Sequence, residues 1–167
     1  MKKCLICSNE FNPFVDFGSM PIANAFSTKK ELENEYFFPM QVGFCETCKM
    51  VQLLEQPDRE KMFHDSYAFF SSTSNYMINH FKRFANSVSS LQNLSKKSFV
   101  VEIGSNDGIM LQNFVSDNIP CLGVEPSKNV AHVAMERGIE VTTEFFDRPL
   151  AEKISKTHQK ADAILSA

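Results

Sequence analysis

Apolar and polar residues follow two different rhythms along this chain. Up to residue 66, prolines separate short apolar runs such as 14–17 and 40–44, which predicts short strands and turns, with a short helix over Asp58–His64. A longer helix is expected to begin at Ser72 or Ser74, where a hydroxyl can cap it. Its predicted core stripe contains Met77, Phe81, Phe84, Ala85, Val88 and Leu91.

From residue 98 onward, apolar runs alternate with stretches of helical periodicity. Strands are expected over Ser98–Ile103, Cys121–Val124, Ile139–Thr142 and Ala161–Ser166, and helices over Gly108–Val115, Ser127–Arg137 and Asp147–His158. Because helices separate the strands, right-handed crossovers and a parallel sheet are expected.

The predicted fold class is therefore α/β. Residues 1–66 form a module of short strands, residues 67–97 a helical connector, and residues 98–167 a partial doubly wound, Rossmann-like domain that stops after its fourth strand. That stop leaves the apolar segment Ala163-Ile164-Leu165 at the edge of the sheet, which proteins avoid. We expect either that a partner chain or loop covers this edge or that the sequence is part of a longer protein, and we favour the second explanation.

Composition restricts the kinds of partner. The 167 residues are 43% hydrophobic, enough to fill a core, and the formal net charge is −3. Neither half offers the basic surface that nucleic-acid binding requires. No apolar run is long enough for a membrane span, and the first residues lack the apolar region of a secretory signal. We therefore expect a cytoplasmic protein whose thiols stay reduced.

Four of the five cysteines form two pairs, Cys4-x-x-Cys7 and Cys45-x-x-Cys48. Each pair can direct two sulfurs at one ion, and together they supply the tetrahedral set of four thiolates typical of structural Zn²⁺. The gap between the pairs is longer than in the usual zinc ribbon, and two reduced pairs or a redox C-x-x-C are the alternatives. Cys121 is predicted to be a small buried apolar residue.

The strand predicted over 98–103 leads into a turn bounded by two glycines, Gly104-Ser-Asn-Asp-Gly108. Such a turn presents backbone N–H groups to a nucleotide-like ligand. It lacks the third glycine of the dinucleotide signature. The residues predicted to bind a cofactor are Glu102, Gly104, Ser105, Asn106, Asp107, Gly108, Glu125, Pro126, Phe145 and Phe146.

The acidic and aromatic residues around the turn indicate which cofactor it binds. Glu102 can accept a hydrogen bond from an ammonium group, and Glu125, at the tip of the next strand, can bind both hydroxyls of a ribose. Phe145 or Phe146 can pack on adenine. A ligand with ribose, adenine, an ammonium group and no pyrophosphate is S-adenosylmethionine (SAM). The alternative is an ordinary α/β turn with incidental acids.

Taken together, these motifs resemble those of the zinc-containing nucleotide-deoxysugar C-methyltransferases, which are SAM-dependent enzymes of class I. The motifs occur in the same order through almost the whole chain, which is less than half of a typical member and matches its N-terminal part. The resemblance rests on the two cysteine pairs, Phe17–Phe26, Val51–Leu53, Tyr67–Ser74, Glu102–Gly108 and Gly123–Pro126.

The resemblance implies methyl transfer to a carbon of a nucleotide-linked keto-deoxysugar, after a base removes the proton next to the ketone. The resemblance implies that the segment with Tyr67, a catalytic candidate, faces the substrate pocket, where Ser71 and Ser72 border the sugar. Tyr76 and His80 lie about one turn apart on the predicted helix and are further catalytic candidates that can reach the same pocket. A separate chain that supplies the C-terminal half is one partner to expect, and we expect weak or absent cofactor binding by these residues alone. The second hypothesis is a non-catalytic adaptor, in which a zinc module and a nucleotide fold act through protein contacts.

Overall fold

The computed structural model describes residues 2–23 and 26–167, and the chain forms two compact units, Met1–Phe63 and His64–Ala167. The boundary expected after residue 66 lies close to the observed one. The segment 67–97, expected to be a connector, lies within the second unit. Asn24 and Ala25 of the motif Phe17–Phe26 lie outside the described residues.

The first unit is an antiparallel sheet with strand order β1-β2-β3-β4. Its strands are β1 (Lys2–Lys3), β2 (Glu10–Pro21), β3 (Phe37–Phe44) and β4 (Val51–Leu53), and one helical turn, α1, spans Arg59–Met62.

Two of these strands are longer than the sequence predicts. β2 contains Pro13 and Pro21, and β3 contains Pro39. The register between them shifts twice, between Pro13 and Val15 and between Asp16 and Ser19. Prolines are tolerated at such irregularities and at strand ends, so they do not end the strands here.

The second unit confirms the predicted α/β class and parallel sheet, with strand order β7-β6-β5-β8. Its elements are α2 (Asn75–Leu91), β5 (Val100–Ile103), α3 (Leu111–Ser116), β6 (Cys121–Val124), α4 (Lys128–Glu136), β7 (Glu140–Thr142), α5 (Arg148–Thr157) and β8 (Ala163–Leu165).

Side chains from β5 pack alternately on the two faces of this sheet, which is the two-residue period of a strand. Val100 packs on the face covered by α2, α3 and α4, whereas Val101 packs on the face covered by α5. The apolar stripe of α2 that contacts the core is narrower than the sequence predicts. Phe81 and Ala85 contact the core, but Leu91 is 78% exposed, because the sheet and α3 cover only part of that helix face.

The edge of the sheet carries the exposed apolar strand that the sequence predicts. Among the described strands, β8 pairs only with β5, and Ile164 is 64% exposed. Beside it lies an apolar hollow of about 320 Å³, lined in part by Phe99, Val101 and Phe146. No helix in the described ranges is long and apolar enough to cross a membrane.

The order of the strands places a ligand position at the carboxyl end of β5. From β5 the chain proceeds to β6 and β7 on one side, and α5 then returns it to β8 on the other side. Open α/β sheets bind ligands where successive connections leave in opposite directions, just beyond the strand ends. The turn Gly104–Gly108 occupies that position.

Candidate functional site

The four cysteines of the two pairs lie together in the first unit. The sulfurs of Cys4, Cys7, Cys45 and Cys48 all lie within 4.8 Å of one another. The sulfurs of Cys4 and Cys48 are 3.5 Å apart, as are those of Cys7 and Cys45. A tetrahedral ion with bonds of about 2.3 Å to sulfur separates its ligands by roughly 3.8 Å. The donor set therefore fits Zn²⁺ with no open position.

The two cysteine pairs are held by the same backbone turn, used twice. The N–H of Ser8 donates to the carbonyl of Cys4 at 2.9 Å, and the N–H of Lys49 donates to that of Cys45 at 2.8 Å. Ser8 and Lys49 have positive φ angles of 60° and 64°. Each turn directs its two sulfurs inward. Sequence spacing predicts the pairing of cysteines but not this repeated turn.

Electrostatics also favour a cation between these sulfurs. The N–H of Cys7 is the main cause that lowers the pKa of Cys4 to about 6. The N–H of Met50 acts in the same direction on Cys48, but burial and the three neighbouring sulfurs outweigh it and raise the pKa of Cys48 to about 12. Four thiolates this close therefore need a positive ion to offset their mutual repulsion.

The turn after β5 has the backbone geometry that its glycines predict. Gly104 and Gly108 have φ angles of +73° and +78°, and Asn106 has one of +49°. A Cβ on Gly108 would lie 2.3 Å from the side chain of Ile139, so glycine is required there for space as well as for conformation. A Cβ on Gly104 would meet nothing within 4 Å, which leaves open space above the turn.

Glu125, which directly follows β6, stabilises this turn through hydrogen bonds. One of its carboxylate oxygens accepts from the N–H of Asn106 at 2.9 Å, and the other accepts from the N–H of Ser127 at 2.8 Å. Each oxygen keeps a further lone pair. The residue predicted to bind a ribose therefore also joins the turn to the start of α4.

Asn106 and Asp107, predicted to bind the cofactor, form hydrogen bonds with another part of the protein. We call residues 65–73 the strap. The Asn106 carboxamide accepts from the N–H of Ser71 at 2.9 Å and donates to the carbonyl of Phe69 at 3.0 Å. The Asp107 carboxylate accepts from both the N–H and the hydroxyl of Ser72. These two side chains therefore recognise the strap.

Arg137, which the sequence does not single out, completes this contact. It follows α4, and its guanidinium donates to the Asp107 carbonyl at 2.7 Å and to the Ser72 hydroxyl at 2.8 Å. It also lies 3.7 Å from the Asp107 carboxylate. The hydroxyl of Ser72, predicted to border the sugar, is thus engaged by two protein groups.

The first turn of α4 holds the other end of the strap. The side chain of Asn129 donates to the carbonyl of Tyr67 at 2.7 Å, and Lys128 forms an ion pair of 3.0 Å with Asp65. Because Arg137 lies at the opposite end of α4, the strap is attached along the length of this helix. Neither residue is distinctive in the sequence, since a lysine and an asparagine at a helix start are typical of solvated positions.

Several buried polar atoms at this edge of the sheet have no hydrogen-bond partner within the described ranges. An enclosed polar atom without a partner costs free energy, so each is a position where a ligand can bind. Of the six such atoms among all described residues, five belong to this one neighbourhood, at Glu102, Ser105, Asp107, Ser127 and Asn129.

Glu102 is the most strongly perturbed of these groups. Burial, followed by the charges of Glu125 and Asp107, raises the pKa of its carboxyl to about 8. A cation placed beside the unpartnered oxygen would reverse this effect, because an opposite charge favours the carboxylate. Together with the open space at Gly104, this arrangement fits a ligand that carries an ammonium group.

The remaining predicted site residues range from half-buried to exposed. Tyr76 is 72% exposed on α2, and the exposed His80 contacts the edge of the Phe81 ring. Phe146 lines the hollow beside β8 with residues of α5. Phe145, Tyr67 and Pro126 are half-buried.

The fold and the two sites define a class of protein: a four-cysteine metal-binding module joined to an α/β unit with a glycine-bounded ligand turn. Residues 4–63, which include all four cysteines, match the family described as "Putative zinc binding domain". The chain is also 28% identical over 158 residues to C-methyltransferase NovU of Streptomyces niveus. The match covers 93% of this chain and 37% of that protein. These findings confirm the resemblance to a zinc-containing C-methyltransferase that the motifs predict.

Proposed function

We propose that this chain is the zinc-containing, cofactor-binding part of a SAM-dependent C-methyltransferase. The observation that carries the proposal is the group of unpartnered buried polar atoms at the carboxyl end of β5, with Glu102 at its centre. Similarity to a C-methyltransferase along most of the chain supports the same assignment. When bound, SAM supplies an electrophilic methyl group.

The residues of the turn divide into those that would hold the cofactor and those that shape its site. Glu102 would accept a hydrogen bond from the ammonium group, and the free lone pairs of Glu125 would accept from the ribose. Gly104 leaves the space that the cofactor needs. Asn106 and Asp107 would act indirectly, by fixing the strap beside the turn.

We propose a nucleotide-linked keto-deoxysugar as the substrate, because the motif resemblance implies one. Tyr67 and Ser71 lie on the strap, which is hydrogen-bonded to the cofactor turn, and this placement would bring the sugar close to the methyl group. Tyr67 would hold or move a proton at the ketone, with Tyr76 and His80 as further candidates. A cytoplasmic location and a separate chain that carries further sheet strands also belong to this proposal.

Cofactor binding is tested by NMR titration of the ¹⁵N-labelled chain with S-adenosylhomocysteine, a method that detects weak binding. Shifts should concentrate at the amides of Gly104, Ser105 and Ser127. Glu102→Gln and Glu125→Gln should weaken them, whereas Glu152→Gln on the exposed face of α5 should not. Absence of shifts in the parent chain would refute the proposal that these residues bind the cofactor by themselves and would favour the non-catalytic adaptor.

Proton removal is tested separately from cofactor binding. The chain is incubated in D₂O with a nucleotide-linked keto-deoxysugar, and deuterium at the carbon next to the ketone is measured by mass spectrometry. Exchange above the buffer rate, reduced by Tyr67→Phe, is the expected result. Exchange no faster than in buffer would show that this part of the protein does not carry the base.

A further inference from the structure

A buried glutamine lies beside the cysteine cluster of the first unit. Gln52 is on β4, opposite Gly43 of β3, and is only 9% exposed. Its side-chain oxygen accepts a hydrogen bond of 3.1 Å from the N–H of Leu5, inside the turn between Cys4 and Cys7. Burying a carboxamide is costly unless its donors and acceptor are all used. The oxygen of Gln52 has a partner that belongs to the metal-binding turn.

The nitrogen of the same carboxamide is enclosed and has no hydrogen-bond partner of standard geometry among the described residues. Water cannot supply the missing hydrogen bond, because the nitrogen is shielded from solvent. Because the oxygen of the same carboxamide is bonded to Leu5, which directly follows Cys4, the Cys4 sulfur is an acceptor in the immediate neighbourhood. The carboxamide therefore keeps an unused buried donor close to a metal ligand.

A hydrogen-bond donor of this kind stabilises a four-thiolate zinc site. Four thiolates around Zn²⁺ carry a net charge of about −2, and N–H groups that donate to sulfur disperse it. Two such donors are already bonded to the sulfurs of the first cysteine pair. The N–H of Ile6 donates to the sulfur of Cys4 at 3.4 Å, and the side chain of Asn9 donates to that of Cys7 at 3.4 Å.

We propose that Gln52 is a positioning residue of the metal centre. Its oxygen fixes the turn between Cys4 and Cys7 through Leu5, and its nitrogen donates a hydrogen bond to the Cys4 thiolate when the metal is bound. The role concerns the metal centre alone, so it stands independently of the cofactor and substrate proposed above.

Metal affinity tests this role with two substitutions and a control. Gln52→Met removes both hydrogen bonds, whereas Gln52→Glu keeps an acceptor for Leu5 but removes the donor and adds a charge of the same sign as the thiolates. We expect each to lower zinc affinity about 10-fold or more in competition with a chelator. Gln56→Met, at an exposed position, should bind like the parent. Parent-like affinity of Gln52→Glu would overturn the proposal.

A spectroscopic measurement on the unsubstituted chain keeps the proposal testable if a variant fails to fold. In the ¹¹³Cd-loaded, ¹⁵N-labelled chain, a hydrogen bond to a ligating sulfur transmits scalar coupling between the metal and the donating proton. We expect such coupling to a side-chain amide proton of Gln52. Lack of coupling there, with coupling present at the N–H of Ile6, would refute the donor role.

Discussion

Asp107 holds Ser72 through two hydrogen bonds, one from the backbone N–H at 3.0 Å and one from the hydroxyl. The two residues are 35 positions apart in the sequence. Because Asp107 is fully buried, these donors take the place of the water that its carboxylate loses on folding. The turn that follows β5 and the strap therefore form one structural element.

Removal of the Asp107 carboxylate should destabilise the second unit. Asp107→Ala leaves the N–H and hydroxyl of Ser72 without their buried acceptor. It also removes the carboxylate that lies 3.7 Å from the guanidinium of Arg137. We expect a decrease of about 3 kcal/mol in the free energy of unfolding, measured by urea denaturation. Asp117→Ala, at an exposed position, should change it by less than about 0.5 kcal/mol. Equal effects of the two substitutions would contradict the role of the strap contact.

The two glycines of the turn should respond differently to alanine. Gly108→Ala should destabilise strongly, because the new Cβ would meet both Ile139 and Ala134 in addition to the strain of a positive φ. Gly104→Ala should cost only about 1 kcal/mol, since its Cβ meets nothing. That Cβ would instead fill the space proposed for the cofactor. Thermal unfolding measures the first effect, and NMR titration with S-adenosylhomocysteine measures the second.

If Gly104→Ala left the titration unchanged, the cofactor would have to lie elsewhere along the sheet edge. Gly138→Ala provides a control for conformation alone, because Gly138 also has a positive φ and open space around its Cβ. It should lose stability like Gly104→Ala and retain the ligand-induced shifts.

The stability of the ligand-free chain should depend on pH through Glu102. Its carboxyl has a pKa of about 8 in the folded chain, against about 4.3 in an unfolded chain. Between these values the folded chain binds a proton that the unfolded chain releases. The free energy of unfolding contributed by Glu102 is therefore fully present below about pH 4.3 and is lost as the pH rises through about 8.

Glu102→Gln should remove this dependence. As the pH rises from about 4.3 to about 8, the parent should lose stability and Glu102→Gln should not. The free energy of unfolding of the variant, relative to that of the parent, should therefore increase over this range. Urea denaturation at several pH values measures it. A pH-independent difference would contradict the raised pKa of Glu102 in the folded chain.

Metal removal should act on the first unit. The chain should bind one Zn²⁺, and Cys45→Ser should abolish this binding because Cys45 is fully buried among the other sulfurs. Cys121→Ser should retain it, since Cys121 lies in the core of the second unit. Chelation should broaden the NMR signals of residues 2–63 and leave those of the parallel sheet dispersed. Native mass spectrometry gives the stoichiometry, and a zinc-free parent chain would contradict the assignment.

The predictable parts of the fold are those governed by local periodicity. The strand Cys121–Val124 has the bounds that its apolar run predicts, and Asp147 caps α5 as expected, by accepting from the N–H of Leu150 at 3.0 Å. The strand predicted from Ser98 begins at Val100 instead, because the N–H of Phe99 bonds to the side chain of Asp162. That side-chain contact lies 63 positions away in sequence and leaves no local signal.

The sequence by itself determined the chemistry available: four cysteines in two pairs, a glycine-bounded turn after a buried strand, and acids at the ends of two neighbouring strands. Residue type and spacing suffice for these, since each depends on a short segment with a strong conformational preference. Only the tertiary structure decided how the side chains are used. Asn106 and Asp107 are hydrogen-bonded to the strap, and Glu125 is hydrogen-bonded to the turn. Arg137, just after α4, donates a hydrogen bond to Ser72 of the strap. Hydrogen bonds between distant segments depend on how the sheet and helices assemble, and no local pattern records that assembly.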